Sequence, residues 1–98
     1  MSKAIVLSAE DNVATALGET RKGDIVTIKN GEEMEVSINQ DIPYGHKFAI
    51  RDIKKGERIM KYGEVIGGAT SDIARGDHVH IHNIESLRAR GDLAKGAE

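Results

Sequence analysis

Apolar residues along this chain recur mostly at period two. Side chains alternate across a strand, so this spacing predicts strands with one buried face. A first strand is expected over 3–7. Asp24-Ile25-Val26-Thr27-Ile28 is β-branched and predicts a second. Asn30-Gly31 is a tight-turn signal. Beyond it Met34, Val36 and Ile38 alternate with Glu33, Glu35 and Ser37, so the two segments form a hairpin with a solvated acidic face. Further strands are expected over 44–51, 57–62 and 65–69, the last two broken at Gly63. Gly67-Gly68 marks a bulge, a sharp bend or a close chain crossing. One segment departs from period two. Val13, Ala16 and Leu17 share a helical face, Ser8, Glu10 and Asp11 offer N-cap chemistry, and Gly18 follows, so a short helix is expected over 12–17. Ile84 and Leu87 could anchor a second, partial helix. The chain therefore reads as mainly β with one or two short helices.

The same alternation singles out Gly76-Asp77-His78-Val79-His80-Ile81-His82-Asn83. At strand period, Val79 and Ile81 face a core and three imidazoles share the other face. Side chains two apart on a strand stand roughly 6.6–6.8 Å apart, which suits two imidazoles converging on one ion or anion. His80 and His82 are thus candidate ligands for a divalent metal. His78 is a third, although three in a row span too far to meet one ion comfortably. His46, between Gly45 and Lys47, is a candidate general acid or base. Lys47 and Arg51 are candidate substrate-binding cations, and Lys61 and Arg75 could add positive charge. The plain alternative for each histidine is a solvated polar face or the start of a strand, and for each cation ordinary surface.

A six-residue pattern also recurs. Asp52-Ile53-Lys54-Lys55-Gly56-Glu57 is echoed by Asp72-Ile73-Ala74-Arg75-Gly76-Asp77 and more faintly by Glu19-Thr20-Arg21-Lys22-Gly23-Asp24. Each is expected to be a turn ended by a left-handed glycine, with an acidic residue and a strand after it.

Composition narrows the choices. Ninety-eight residues make one small domain, here residues 1–85 with a charged tail over 86–98. Aromatics are 3%, so Ile, Val and Leu must build a thin core. A net charge of −2 and a pI of 6.1 give no footprint for nucleic acid. The absence of cysteine excludes disulfides, thiolate metal sites and a cysteine nucleophile, and fits a reducing cytoplasm. The apolar part of the N-terminus is too short for a secretory signal, and no stretch approaches the ~20 apolar residues of a membrane span.

Taken together, Gly45-His46-Lys47-Phe48-Ala49, Lys61-Tyr62-Gly63-Glu64-Val65-Ile66-Gly67, Ala69-Thr70 with Asp72-Ile73, and Gly76 through Asn83 resemble the small SAF domain of the altronate/galactarate dehydratase family. The likeness runs from about Asn12 to Asn83, and the combined motif is far more specific than any piece. It implies a β-clip fold, shared in outline with type III antifreeze proteins and sialic acid synthase C-terminal domains. It also implies lyase chemistry on a sugar acid or hydroxy acid, aided by a divalent metal, Fe2+ or Mn2+, bound here or mainly by a partner. The family tends to keep the histidines matching His80 and His82 and varies more at His78. In that family the domain is fused to a large catalytic domain or made as a separate small subunit. A chain ending soon after Asn83 looks like the separate form, an accessory subunit of a large dehydratase subunit, with little activity alone and self-association left open. The related sulfolactate sulfo-lyase small subunit, and a free-standing metal- or ligand-binding module, are the alternatives. An ice-binding surface, suggested only by the shared fold, is disfavoured by 31% charged residues.

Overall fold

The computed structural model describes residues 4–6, 8–30 and 32–86. Among the described residues nine strands run in order: β1 (Ala4–Ile5), β2 (Val13–Ala16), β3 (Ile25–Asn30), β4 (Glu32–Ser37), β5 (Lys47–Ala49), β6 (Arg58–Lys61), β7 (Glu64–Ala69), β8 (His78–Val79) and β9 (Ile84–Glu85). They form three antiparallel sheets: β1-β2-β5-β8, the hairpin β3-β4, and β6-β7-β9. No helix occurs among the described residues.

The first sheet lies between two apolar clusters. Ala14, Ala16 and Phe48 pack on one side with Val26, Ile28, Val36 and Ile38 of the hairpin. Val13, Ala49 and Val79 pack on the other with Ile53, Ile59, Ala69 and Ile73. Burial of both faces explains why the helix expected over 12–17 is strand β2 instead. A strand covered on both sides loses its polar alternate positions, so Val-Ala-Thr-Ala carries no period-two signal. Ser8 and Asp11 do use their side-chain capping chemistry, but to close a turn, with Ser8 N–H donating to Asp11 Oδ2. Glu10 N–H donates to Ser8 Oγ and Asp11 N–H to the Ser8 carbonyl. At the other end Ile84 begins β9, and the rest of the expected partial helix, with the tail over 87–98, lies outside the described residues.

The β3-β4 hairpin keeps the predicted faces. Val26, Ile28, Val36 and Ile38 are buried, and Glu33 and Glu35 are exposed. Gly31 of its turn lies outside the described residues. Gly67 marks a close crossing: a Cβ there would stand 2.4 Å from the Glu85 carbonyl oxygen of β9.

The recurring six-residue pattern builds the corners, and it occurs four times: 19–24, 41–46, 52–57 and 72–77. The second residues pair as two antiparallel bridges, Thr20 with Ile42 and Ile53 with Ile73. The fifth is a glycine at φ +94, +84, +91 and +92. Each glycine N–H donates to the carbonyl of a residue at or just past a strand end, and that residue's N–H returns to the sixth carbonyl of the corner. The residues so gripped are Ile38, Ala16, Ala69 and Ala49 in turn. Each corner thus satisfies backbone groups that would otherwise be buried without partners.

Candidate metal and acid-base site

The site grows out of the corner that differs from the other three. In those, the sixth residue is acidic and its carboxylate accepts the N–H three residues back: Asp24 from Arg21, Glu57 from Lys54, and Asp77 from Ala74. In the corner 41–46 the corresponding donor position is Pro43, which has no N–H, and the sixth residue is His46. The backbone turn is unchanged, since His46 N–H still donates to the Pro43 carbonyl at 3.0 Å. The His46 side chain is therefore released from corner duty and available to a neighbour.

That neighbour is β8. The register pairs Phe48 with His78 and Lys47 with Val79, so His46 comes level with His80. The His46 and His80 rings stack with centroids 4.2 Å apart, and His46 Nδ1 stands 2.9 Å from His78 Nε2. His78 and His80 lie nearly coplanar in orientation, 9° apart, at 5.5 Å. One nitrogen from each of His46, His78 and His80 lies within 4.8 Å of the others.

Backbone positioning of β8 comes from two amides. Gln40 Oε1 accepts the His78 N–H at 2.8 Å. The buried Asn83 side chain accepts the His80 N–H at 2.9 Å and donates to the His78 carbonyl at 2.8 Å. The N–H groups of Asn83 and Ile84 both turn back to the His80 carbonyl. These bonds end the strand after Val79 and replace ladder bonds with a turn. The expected run of alternation to His82 is corrected accordingly. Val79 is buried, but Ile81 is 83% exposed rather than in the core.

The sequence-predicted residues therefore separate. His46 and His80 meet. His78, ranked below His82 on sequence, joins them. His82 stands on the turn outside the trio, its ring tilted 39° to that of His78 at 5.3 Å. Lys47, half-buried on β5, adds its charge to His78 and His80. The Arg51 guanidinium donates to the Asp11 carbonyl at 3.1 Å, at a hub where Asp11 Oδ1 also accepts the Gly63 N–H. Burial, followed by the charges of His46, His82, His80 and Lys47, holds His78 below its ordinary 6.5. His80 is lowered too, by desolvation and then by His46, Lys47 and His82. Burial and the nearby Lys61 ammonium lower Lys47 from 10.5. Gln40 and Asn83 were missed from sequence. An Asn three residues past His80 is an Asx-turn signal that could have found the second.

The trio can hold a divalent ion. With metal–nitrogen bonds of about 2.0–2.1 Å, neighbouring ligand nitrogens stand about 3.0–3.4 Å apart. The 2.9 Å approach already matches that, whereas the stacked rings would have to turn for three in-plane lone pairs to meet one ion. Two shallow cavities, of about 160 and 300 Å³, lie over the corner pairs, one beside Arg21 and Pro43, the other beside Asp52 and Asp72. No histidine lines either, and the three histidines are half-buried at the end of β8.

Residues 2–87 match the family described as altronate/galactarate dehydratase SAF domain. Altronate dehydratase of Escherichia coli is 48% identical over 79 residues, covering 81% of this chain and 15% of that protein. Altronate dehydratase of Bacillus subtilis is 36% identical over 86 residues, covering 88% of this chain and 17% of that protein. The (2R)-sulfolactate sulfo-lyase subunit alpha of Chromohalobacter salexigens is 33% identical over 88 residues, covering 86% of this chain and 94% of that subunit. The chain spans under a fifth of the two dehydratases' length and nearly all of the sulfo-lyase subunit. An all-strand fold, a histidine trio beside a lysine and a family match over most of its length agree: the chain belongs to the SAF domain family of the altronate/galactarate dehydratases.

Proposed function

We propose that this chain is the accessory part of a lyase that eliminates water, or alternatively sulfite, from a sugar acid or related hydroxy acid in the cytoplasm. The large catalytic part completes the site. The observation that supports this most is the grouping of His46, His78 and His80 where the short strand β8 ends. Three imidazoles form one wall of a site and leave the other walls to a partner.

The three imidazoles would hold a divalent ion, with Fe2+ or Mn2+ the expected choice and imidazole donors suited to the first. When bound, such an ion supplies a Lewis acid for a substrate oxygen. The chain's own part is to present neutral donors. Because His78 and His80 are lowered, both are unprotonated near neutral pH and able to bind a metal or accept a proton. His46 is placed by its corner to share a proton or an ion with His78. Asn83 and Gln40 hold the β8 backbone so that the rings keep their spacing.

The test is reconstitution with the large subunit against altronate, galactarate and sulfolactate. Turnover should depend on this chain and be lost with His46→Ala or His80→Ala. Full turnover by the large subunit alone would refute the proposal. The second reading, a free-standing metal module, draws on the trio being complete within one chain. It predicts metal binding without any partner-dependent activity.

A further inference from the structure

The corner at 41–46 differs from the others at its exposed tip as well as in its closing bond. The fourth residue is Lys22, Lys55 and Arg75 in the other three corners, each exposed and charged. In this corner it is Tyr44, 69% exposed. A turn facing water ordinarily carries a hydrated side chain, and the chain follows that rule three times. An aromatic ring in the same place leaves apolar area in water, which a partner surface would cover.

Two further exposed apolar side chains stand at the same end of the first sheet. The bonds from His46 N–H to the Pro43 carbonyl and from Asn83 N–H to the His80 carbonyl close two turns, with Tyr44 and Ile81 the second residue of each. Strands β5 and β8 are antiparallel, with Lys47 opposite Val79, so the turn entering β5 lies beside the turn leaving β8. On the other side of β5, Ala16 N–H donates to the His46 carbonyl and Gly45 N–H to the Ala16 carbonyl, so Leu17 leaves β2 at that same end. Ile81, at 83%, and Tyr44 are the two most exposed large apolar side chains among the described residues, and Leu17 is 49% exposed. His46 closes the first turn and His80 opens the second, so the apolar tips flank the imidazoles. Neither turn holds Lys, Arg, Asp or Glu, in a chain that is 31% charged. Aromatic and aliphatic anchors without formal charge are the composition of an interface centre.

We propose that Tyr44, Ile81 and Leu17 are the anchors by which this chain docks on the large catalytic part, around the imidazoles. This rests on the reading of the chain as the accessory part of a lyase. The partner surface is an apolar recess for the anchors, with carboxylates facing the histidines. Charge selects that occupant. Two-fold self-association would set like against like, imidazoles facing imidazoles with no acid brought to either. Carboxylates complement them, as acceptors for ring N–H groups and as counter-charge to a proton the rings take up.

Binding of the full chain to the large subunit is measured by isothermal titration, with turnover followed in parallel. Tyr44→Lys, which gives this corner the tip of the others, and Ile81→Ser should each weaken binding roughly tenfold or more. Tm should be unchanged or raised in both, because both positions are exposed. His80→Ala should lose turnover and keep its affinity, which separates docking from chemistry. Val65→Thr is the control: Val65 is exposed on the β6-β7 hairpin, whose Gly63 meets Asp11 at the far end of β2, and its affinity should match wild type. Wild-type binding with equal affinity in Tyr44→Lys and Ile81→Ser would overturn the docking surface and leave the accessory reading standing. Failure of the wild-type chain to bind would overturn both. Self-association of the chain alone, abolished by Ile81→Ser, would assign this face to a second copy and overturn the partner named.

Discussion

Three corners of the molecule close on their own carboxylates, whereas the corner at 41–46 has neither the donor nor the acceptor for that bond. All four keep the same glycine, the same backbone turn and the same grip on a strand end. For that bond the difference is confined to Pro43 and His46. Removing an N–H with proline means that nothing is left unsatisfied when the carboxylate goes, so a side chain can change purpose without disturbing the backbone. A histidine with a free side chain has been set on a structural unit that the chain already makes three times with a carboxylate.

The largest expected effect tests how far the corners are equivalent. A Cβ on Gly76 would stand 2.1 Å from the Ser37 carbonyl oxygen, whereas a Cβ on Gly45 meets nothing within 4 Å. Both have positive φ, so both alanine variants carry backbone strain. Gly76→Ala should cost about 3 kcal/mol or more, and Gly45→Ala about 1 kcal/mol, measured by urea denaturation. Equal costs would show that backbone strain alone governs the corners.

Next in size is the carboxylate itself. Asp77 accepts from the Ala74 N–H and from Asn39 Nδ2, each at 2.9 Å. Asp77→Ala should therefore lose about 1–2 kcal/mol. His46→Ala, which loses no corner bond and only the part-exposed contact with His78, should change stability by well under half of that while abolishing Mn2+ binding. A large loss of stability in His46→Ala would mean that its ring serves the fold.

These four corners also show what could be read from the chain. Three were legible because D-I-x-x-G-[DE] and its weaker form repeat plainly. The fourth, Asp41-Ile42-Pro43-Tyr44-Gly45-His46, was hidden by the two exchanges that set it apart. The hairpin was legible because one face is wet and alternation survives. Strand β2 was not, because both its faces are buried and Val13, Ala14 and Ala16 fit a helix as well as a strand. At the site, His46 and Lys47 stood out by residue type. The meeting of His46 with His78 depends on a β5-β8 pairing between segments 32 residues apart, which no local pattern encodes. The turn at Asn83 then removes His82 from the strand face.

A double-mutant cycle asks whether Pro43 and His46 are a linked exchange. Pro43→Ala restores an N–H, and His46→Asp restores its acceptor. Pro43→Ala alone should cost about 0.5–1 kcal/mol through unfolded-chain entropy and an uncapped donor. The double variant should recover most of this, giving a coupling of about 1 kcal/mol and a stability close to wild type. Metal binding should be lost throughout the His46→Asp arm. Zero coupling would mean that the proline and the histidine arose for unrelated reasons.

The smallest effect is on pH, and it separates the histidine corner by charge. The folded pKa of His78 lies below its unfolded 6.5, and His80 is lowered likewise. Between the folded values and 6.5 the unfolded chain binds more protons, so stability rises with pH across that window. The contribution is complete above 6.5 and is lost as pH falls through the window, when imidazoles crowded beside Lys47 would have to charge. Both groups are partly exposed, so solvent screening keeps the change small. Thermal melts at stepped pH should show Tm of the wild type falling below pH 6.5 more steeply than that of His78→Gln. Parallel curves for the two proteins would place the acid sensitivity elsewhere, and would remove the argument that burial, aided by neighbouring charge, disfavours the charged forms of His78 and His80.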